Sequence, residues 1–202
     1  MFDGTQAPAD ESTPPNPVNY YGVLKAAGEL VTLERARDPV VARVAGVIGV
    51  HRAGRETPRR QDAGFGYFVD AVVDSLSAGR PFAVWESETI NGVATPTLAT
   101  LAAEWMLELA ERGARGVFHC CCGEPTTRMG LARAASEAFG LDATLLRSGP
   151  PDPGRLPPAP VPYDTSLDVR TTARTLGYEA PSLLDLLARF RAEREEQREQ
   201  AS

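Results

Sequence analysis

Apolar positions along this chain switch between a helical and a strand period, and the switches mark out its elements. Between Asn19 and about Arg37, Tyr21, Leu24, Leu30 and Leu33 recur among good helix formers, and Asp38-Pro39 stops the run, which predicts a first helix. "VVARVAGVIGV" (40–50) is apolar and β-branched on both faces, as expected of a strand buried in a parallel sheet. Helical spacing returns from about Phe65 to Ala78, followed by Gly79 and the short strand "PFAVWE". A loop, "SETINGVATP", leads to a long helix from Thr97 to about Arg112, striped by Leu98, Leu101, Ala102, Trp105, Met106 and Leu109. "GVFHCC" reads as another buried strand, "PTTRMGLARAASEAFG" as a helix with Pro125 near its start, and "ATLLRS" as a short strand. Residues 1–17 and 149–162 are proline-rich and extended. A last helix covers about Pro181 to Arg191 and runs out into a solvated, charged end, "AEREEQREQAS". The order is that of an α/β protein with a parallel sheet.

Composition narrows the classes. The 202 residues suit one sizeable domain, and a formal charge of -6 argues against nucleic acid or an anionic membrane as the main partner. No apolar run approaches the roughly 18 residues of a membrane span. The acidic, proline-rich start carries no secretory signal, so a cytoplasmic location is expected. The three cysteines, Cys120 to Cys122, are consecutive and cannot form a disulfide framework. Successive strand residues face opposite sides, so His119 and these cysteines do not converge on a metal; they are expected to fill a core, and no metal site is expected. Trp85 and Trp105 are expected to pack in core and rim. Arg52, Arg55, Arg59 and Arg60 fit either a solvated loop or contacts to a diphosphate.

The chemistry sits in Tyr21 and Lys25. On a helix, residues four apart share a face, so both can act on one site. A phenol titrates near 10 in isolation, and a cation held beside it favours phenolate. Taken without its flanks, such a pair is more often a surface tyrosine and lysine on an amphipathic helix, because the spacing arises by chance.

The flanking residues add to this. "FDG", a proline-rich loop and "NYYGVLKAAGE", with Tyr21, Gly22, Lys25, Gly28 and Glu29, resemble the extended short-chain dehydrogenase/reductase family. Within it they are most similar to the dTDP-4-dehydrorhamnose reductase branch and its relative, the regulatory subunit of methionine adenosyltransferase. The likeness continues through "ARVAGVIG", "FVDAVVDSLSAGRPFAVWES", "TPTLATLAAEW", "GVFHCCCGEPTTRMGLARAASEAFGLD" and "PYDTSLDVRTTARTLGYEAPSLLDLL". It implies the C-terminal part of an NAD(P)-binding, Rossmann-type extended fold with its small substrate-binding subdomain. Residues 1–52 would end the Rossmann domain and carry the catalytic helix. Residues 53–190 would form the substrate-binding part, with 116–139 returning to the Rossmann sheet, and 191–202 a charged tail. The resemblance implies Tyr21 as general acid and Lys25 as the residue that lowers its pKa and holds the nicotinamide ribose. Val44 would lie beside the nicotinamide, the cofactor would be NADPH or NADH, and the substrate a 4-keto nucleotide-sugar. The alternative is a non-catalytic sugar-nucleotide or protein-binding subunit. A homodimer, or binding to another enzyme subunit, fits the partners implied.

Three positions depart from the branch: Ala94 stands for Gly, Tyr67 for Asn and Ile48 for Tyr, which bears on the substrate more than on the reductase class. The glycine-rich turn that binds the dinucleotide is expected to be missing. Gly46, Gly49 and Gly54 have the wrong spacing, with Arg52 where a third glycine would fall. The chain thus reads as beginning after the family's first strands. A misplaced start, a truncated remnant and a binding protein without catalysis all remain open. In each case the strand 40–50 is expected to show an unpaired edge.

Overall fold

The computed structural model describes residues 1–50, 61–65 and 67–200. Asn19 caps the first helix, α1 (Tyr20–Arg35), by accepting a hydrogen bond from the Gly22 amide at 2.8 Å. Only Gly22 and Glu29 of α1 are buried. A side chain at position 22 could not be accommodated, because a Cβ there would lie 2.9 Å from the Pro17 side chain and 3.0 Å from the Met1 nitrogen.

The apolar run 40–50 is not one strand. β1 (Val40–Arg43) pairs in parallel with β6 (Gly116–His119), with Val40 opposite Gly116 and Arg43 opposite His119. Gly46, at φ 55°, then turns the chain so that β2 (Val47–Ile48) pairs in parallel with β5 (Thr97–Leu98) instead. Among the described residues β6 is the sole strand partner of β1, which leaves its other edge unpaired.

Helix α2 (Phe68–Ser77) and β3 (Phe82–Trp85) follow, β3 pairing in parallel with β8 (Leu146–Gly149). The loop expected at 87–96 contains β4 (Val93–Ala94), the middle strand of a small sheet. It runs antiparallel to β7 (Thr126–Thr127) and parallel to β9 (Asp164–Thr165). The helices expected from 97 and 125 therefore start later, as α3 (Ala99–Glu111) and α4 (Arg128–Ala138). A short helix, α5 (Arg170–Leu176), precedes α6 (Leu183–Gln200), which continues nine residues past Arg191. Ser182 caps α6 by accepting from the Asp185 amide at 3.1 Å, and its hydroxyl donates to the Asp185 carboxylate at 2.6 Å.

The main core lies where α4 packs against α2 and α6. Phe68, Val69 and Val72 of α2 meet Leu131, Ala132 and Ala135 of α4 and Leu186, Leu187 and Phe190 of α6. A second core joins α3, β6 and α5 through Ala102, Trp105, Leu109, Phe118, Cys120 and Leu176, with Trp105 stacked on Tyr178 at 5.2 Å. Trp85 packs with Ala63 and Ile90 in a smaller cluster. No helix among the described residues is long and apolar enough to cross a membrane.

Candidate functional site

Tyr21 and Lys25 occupy the first turns of α1 on one face, with the lysine Nζ 5.3 Å from the centre of the tyrosine ring. Both side chains are open to solvent, Tyr21 at 69%. The turn that carries them is tied down on two sides. Asn19 caps the helix through Oδ1 and donates from Nδ2 to the Pro160 carbonyl at 2.7 Å, linking the site to the extended segment before β9. Val44, 40% exposed, follows the C-terminal end of β1. Carboxyl ends of parallel strands are where open α/β sheets place their ligands.

Behind the site lies a buried charge network that periodicity alone does not show. Glu29 is on the inward face of α1, two turns beyond Gly22 and in line with it, and it needs a partner there. Arg43 at the end of β1 provides it. Its Nε donates to Oε2 at 3.0 Å and its terminal nitrogen to Oε1 at 2.5 Å, with both side chains under a tenth exposed. The second terminal nitrogen of Arg43 lies 3.4 Å from His119 Nε2 on β6, and His119 Nδ1 lies 2.8 Å from the Asp168 carbonyl. A carbonyl can only accept and a guanidinium can only donate, so His119 is neutral with its proton on Nδ1. Burial, chiefly, holds its pKa below the ordinary value. The network binds α1 to the sheet and so fixes the bearing of Tyr21 and Lys25. A carboxylate at the inward-facing position of an otherwise sparsely buried helix was its sequence signal.

A cleft of about 360 Å³ opens beside β2, lined by Val47–Val50, Phe65, Tyr67, Phe68, Val69 and Asp70. Tyr67 adopts φ 57°, a left-handed conformation rare outside glycine and asparagine, at the N-cap of α2. The glycines here are used for packing. A Cβ at Gly49 would lie 2.9 Å from Ala99, and one at Gly46 within 3.6 Å of Ala94, Phe65 and Pro96. Gly54 and the arginines at 52, 55, 59 and 60 lie outside the described residues, as does His51.

Arg128, at the start of α4, is another buried cation that the sequence did not single out. It donates to the carbonyls of Asn91 (2.7 Å), Asp62 (2.8 Å) and Gly64, and lies 5.1 Å from the Phe65 ring. Burial lowers its pKa to about 10. It locks residues 62–64, and hence one wall of the cleft, onto α4. The cysteines are all buried, and burial raises the thiols of Cys120 and Cys122 to about 12 and about 11 and that of Cys121 as well, so none offers a thiolate.

Comparison with known proteins follows the same lines. A family model described as the RmlD substrate binding domain matches residues 1–195. The chain belongs to that family. It is 30% identical over 194 residues to the probable low-salt glycan biosynthesis reductase Agl14 of Haloferax volcanii, covering 95% of this chain and 60% of that one. It is also 30% identical over 150 residues to the methionine adenosyltransferase 2 subunit beta of Bos taurus, covering 73% and 42%. Among solved structures, a hypothetical dTDP-4-dehydrorhamnose reductase from Sulfolobus tokodaii superimposes with a TM-score of 0.67 at 28% identity, over 90% of this chain and 58% of that one. A dTDP-4-dehydrorhamnose reductase from Bacillus anthracis in complex with NADP gives 0.70 at 20% identity, over 95% and 62%. The fold is that of the Rossmann-type extended short-chain dehydrogenase/reductases. The chain spans about 60% of the length of the Haloferax relative.

Proposed function

We propose that this chain is the carbonyl-reducing and substrate-binding part of an NAD(P)H-dependent nucleotide-sugar reductase. Residues 1–52 would supply the catalytic helix and the end of the nucleotide-binding sheet, 53–190 the substrate part, with 116–139 back in that sheet, and 191–202 a charged end. The observation that carries the reading is Tyr21 with Lys25 on one exposed face at the head of a helix anchored from behind by Glu29 and Arg43.

Tyr21 donates the proton to the carbonyl oxygen of a 4-keto sugar. The ammonium of Lys25 stabilises the phenolate that remains. Lys25 and Val44 would hold the ribose and nicotinamide end of the cofactor, which when bound supplies the hydride. Gly49 is read as a close approach to Ala99 and Gly46 as the left-handed turn between β1 and β2, and neither is assigned to the cofactor's pyrophosphate. The sugar nucleotide is assigned to the cleft between β2 and the start of α2.

The relatedness to methionine adenosyltransferase 2 subunit beta supports a second reading, a binding subunit that keeps Tyr21 and Lys25 without turnover. Incubating the full-length gene product with NADPH and a dTDP-4-keto-6-deoxy sugar, and following absorbance at the nicotinamide band, separates the two. Consumption of NADPH that depends on the sugar supports the reductase. Saturable sugar-nucleotide binding by calorimetry without consumption supports the binding subunit, and neither signal would overturn both.

A further inference from the structure

The end of α6 is charged almost throughout, yet two of its side chains turn inward. Arg194, whose side chain is 11% exposed, forms ion pairs with Asp70 (3.2 Å) and Asp74 (2.8 Å), one turn apart on α2. Its guanidinium carbon lies 5.8 Å from the centres of the Phe139 and Phe190 rings, which hold it in one place. Glu193, 12% exposed, accepts a hydrogen bond from the Thr100 hydroxyl in the first turn of α3 and lies 3.6 Å from Arg189 Nε. Successive helix residues point about 100° apart, so neighbours on one rigid helix can grip two different elements.

Both grips lead to the cleft beside β2. Asp70 lines it from the first turn of α2, with Phe68 and Val69. It is 4% exposed, and a buried carboxylate needs a counter-charge held close. The opposite wall is Val47–Val50, where β2 pairs with β5, and β5 runs straight into α3. A Cβ at Gly49 would lie 2.9 Å from Ala99, so this wall and the first turn of α3 are in close contact. Thr100, the next residue, is the one that Glu193 holds. Apolar burial between α2, α4 and α6 is non-directional and does not by itself fix where α2 stands relative to β2. Charged pairs and hydrogen bonds with set partners do.

We propose that Glu193 and Arg194 form a clasp behind the cleft, positioning residues that set the separation of its two walls and so its affinity for the sugar nucleotide. This rests on the cleft being the sugar-nucleotide site. The partners of the two residues lie on α2, α3, the end of α4 and α6 itself rather than on α1, so the clasp acts on binding and not on the proton held by Tyr21. A tail that was merely solvated would need none of these partners.

The full-length gene product carrying Arg194→Met, Glu193→Ala, Arg194→Lys or Glu195→Gln tests the clasp, with NADPH and a dTDP-4-keto-6-deoxy sugar as substrates. Arg194→Met should raise KM for the sugar nucleotide about tenfold, within the range that such networks carry. Its kcat should stay within about twofold, because binding is lost equally from ground and transition states. Glu193→Ala should act in the same direction through Thr100, and Arg194→Lys should recover part of the loss. Glu195, paired with Arg191 on the surface, serves as control, and Glu195→Gln should match the unmodified protein. Without ligand, hydrogen exchange in Arg194→Met should quicken at 67–74 and 97–101 and stay unchanged at 20–35. An unchanged KM with unchanged exchange, or a fall in kcat at constant KM, would overturn the proposal. If the unmodified protein neither binds nor reduces the sugar nucleotide, the reductase reading fails and exchange decides on the clasp. Quickening at both segments then supports it, and no change overturns it. If circular dichroism shows Arg194→Met unfolded, the same readouts on Glu193→Ala and Arg194→Lys decide.

Discussion

Arg43 grips Glu29 with two nitrogens, at 3.0 and 2.5 Å, in a pocket that leaves each side chain under a tenth exposed. This one pair connects the helix that carries Tyr21 and Lys25 to β1, whose end Val44 follows. Removing one member leaves the other charge buried and alone, which typically costs about 3 to 5 kcal/mol. Glu29→Ala should therefore lower the unfolding free energy by about that amount. The double change Glu29→Leu with Arg43→Met should cost less than either single loss. Urea unfolding of Glu29→Ala, of Glu29→Leu and Arg43→Met singly, and of the double variant checks both statements.

His119 makes the fold sensitive to mild acid. Its folded pKa lies below the ordinary histidine value, so the unfolded chain takes up the proton first as pH falls. The stability tied to the neutral ring is complete above about 6.5 and declines as pH drops from there toward the folded pKa. The aspartates with depressed pKa, Asp3, Asp10, Asp142 and Asp168, act in a lower window, below about 4. His119→Gln should flatten the dependence between about pH 5 and 7, as read from unfolding free energies at fixed temperature.

Tyr21 is exposed, and its phenol ring makes little packing contact, so Tyr21→Phe should change stability by less than about 0.5 kcal/mol. In the full-length gene product the same change should reduce reduction of the keto sugar by about 10² to 10⁴. A variant with near-full kcat would remove Tyr21 from the proton transfer.

The cysteines should resist alkylation. With Cys120, Cys121 and Cys122 buried and their thiols raised well above neutral, iodoacetamide at pH 8 should add no mass to the native chain. In denaturant three additions should appear, counted by mass spectrometry.

Much of this was visible in the pattern of residues, and what was not has identifiable causes. α1, α2 and α3 follow from apolar spacing, and the Tyr21–Lys25 face follows from a four-residue separation. The run 40–50 read as one strand because residues apolar on both faces look the same whether or not the strand changes partner at Gly46. β4, β7 and β9 have two residues each, too few to show alternation, and the pairing of β4 with β7 (Val93 opposite Thr127) and with β9 (Val93 opposite Asp164) is a matter of topology. α5 is short and rich in Thr and Arg, with only Thr172 and Leu176 buried. The charged stretch after Arg191 stays helical because Arg194 is drawn inward to Asp70 (3.2 Å) and Asp74 (2.8 Å) on α2, with Arg191 and Glu195 paired along the surface. Glu29 entered the sequence reading only through its place in the family motif, and the placement of β1 beneath α1 is what pairs it with Arg43.

The strand end at Cys120–Cys122 has a consequence for how the molecule tolerates change. Cys122 belongs to the core around α4, Cys120 to the core joining α3 with α5, and Cys121 to a third that contains Ala9, Leu167 and Val169. Three consecutive residues thus act as a keystone between packings that otherwise share few members. An enlargement at any one of them pushes its neighbours along the backbone, so strain in one core is passed to the other two. The thiol side chain is small, apolar and free of branching, which suits a position answerable to three sets of neighbours. Substitutions elsewhere in each core can be absorbed locally; here the three must adjust together.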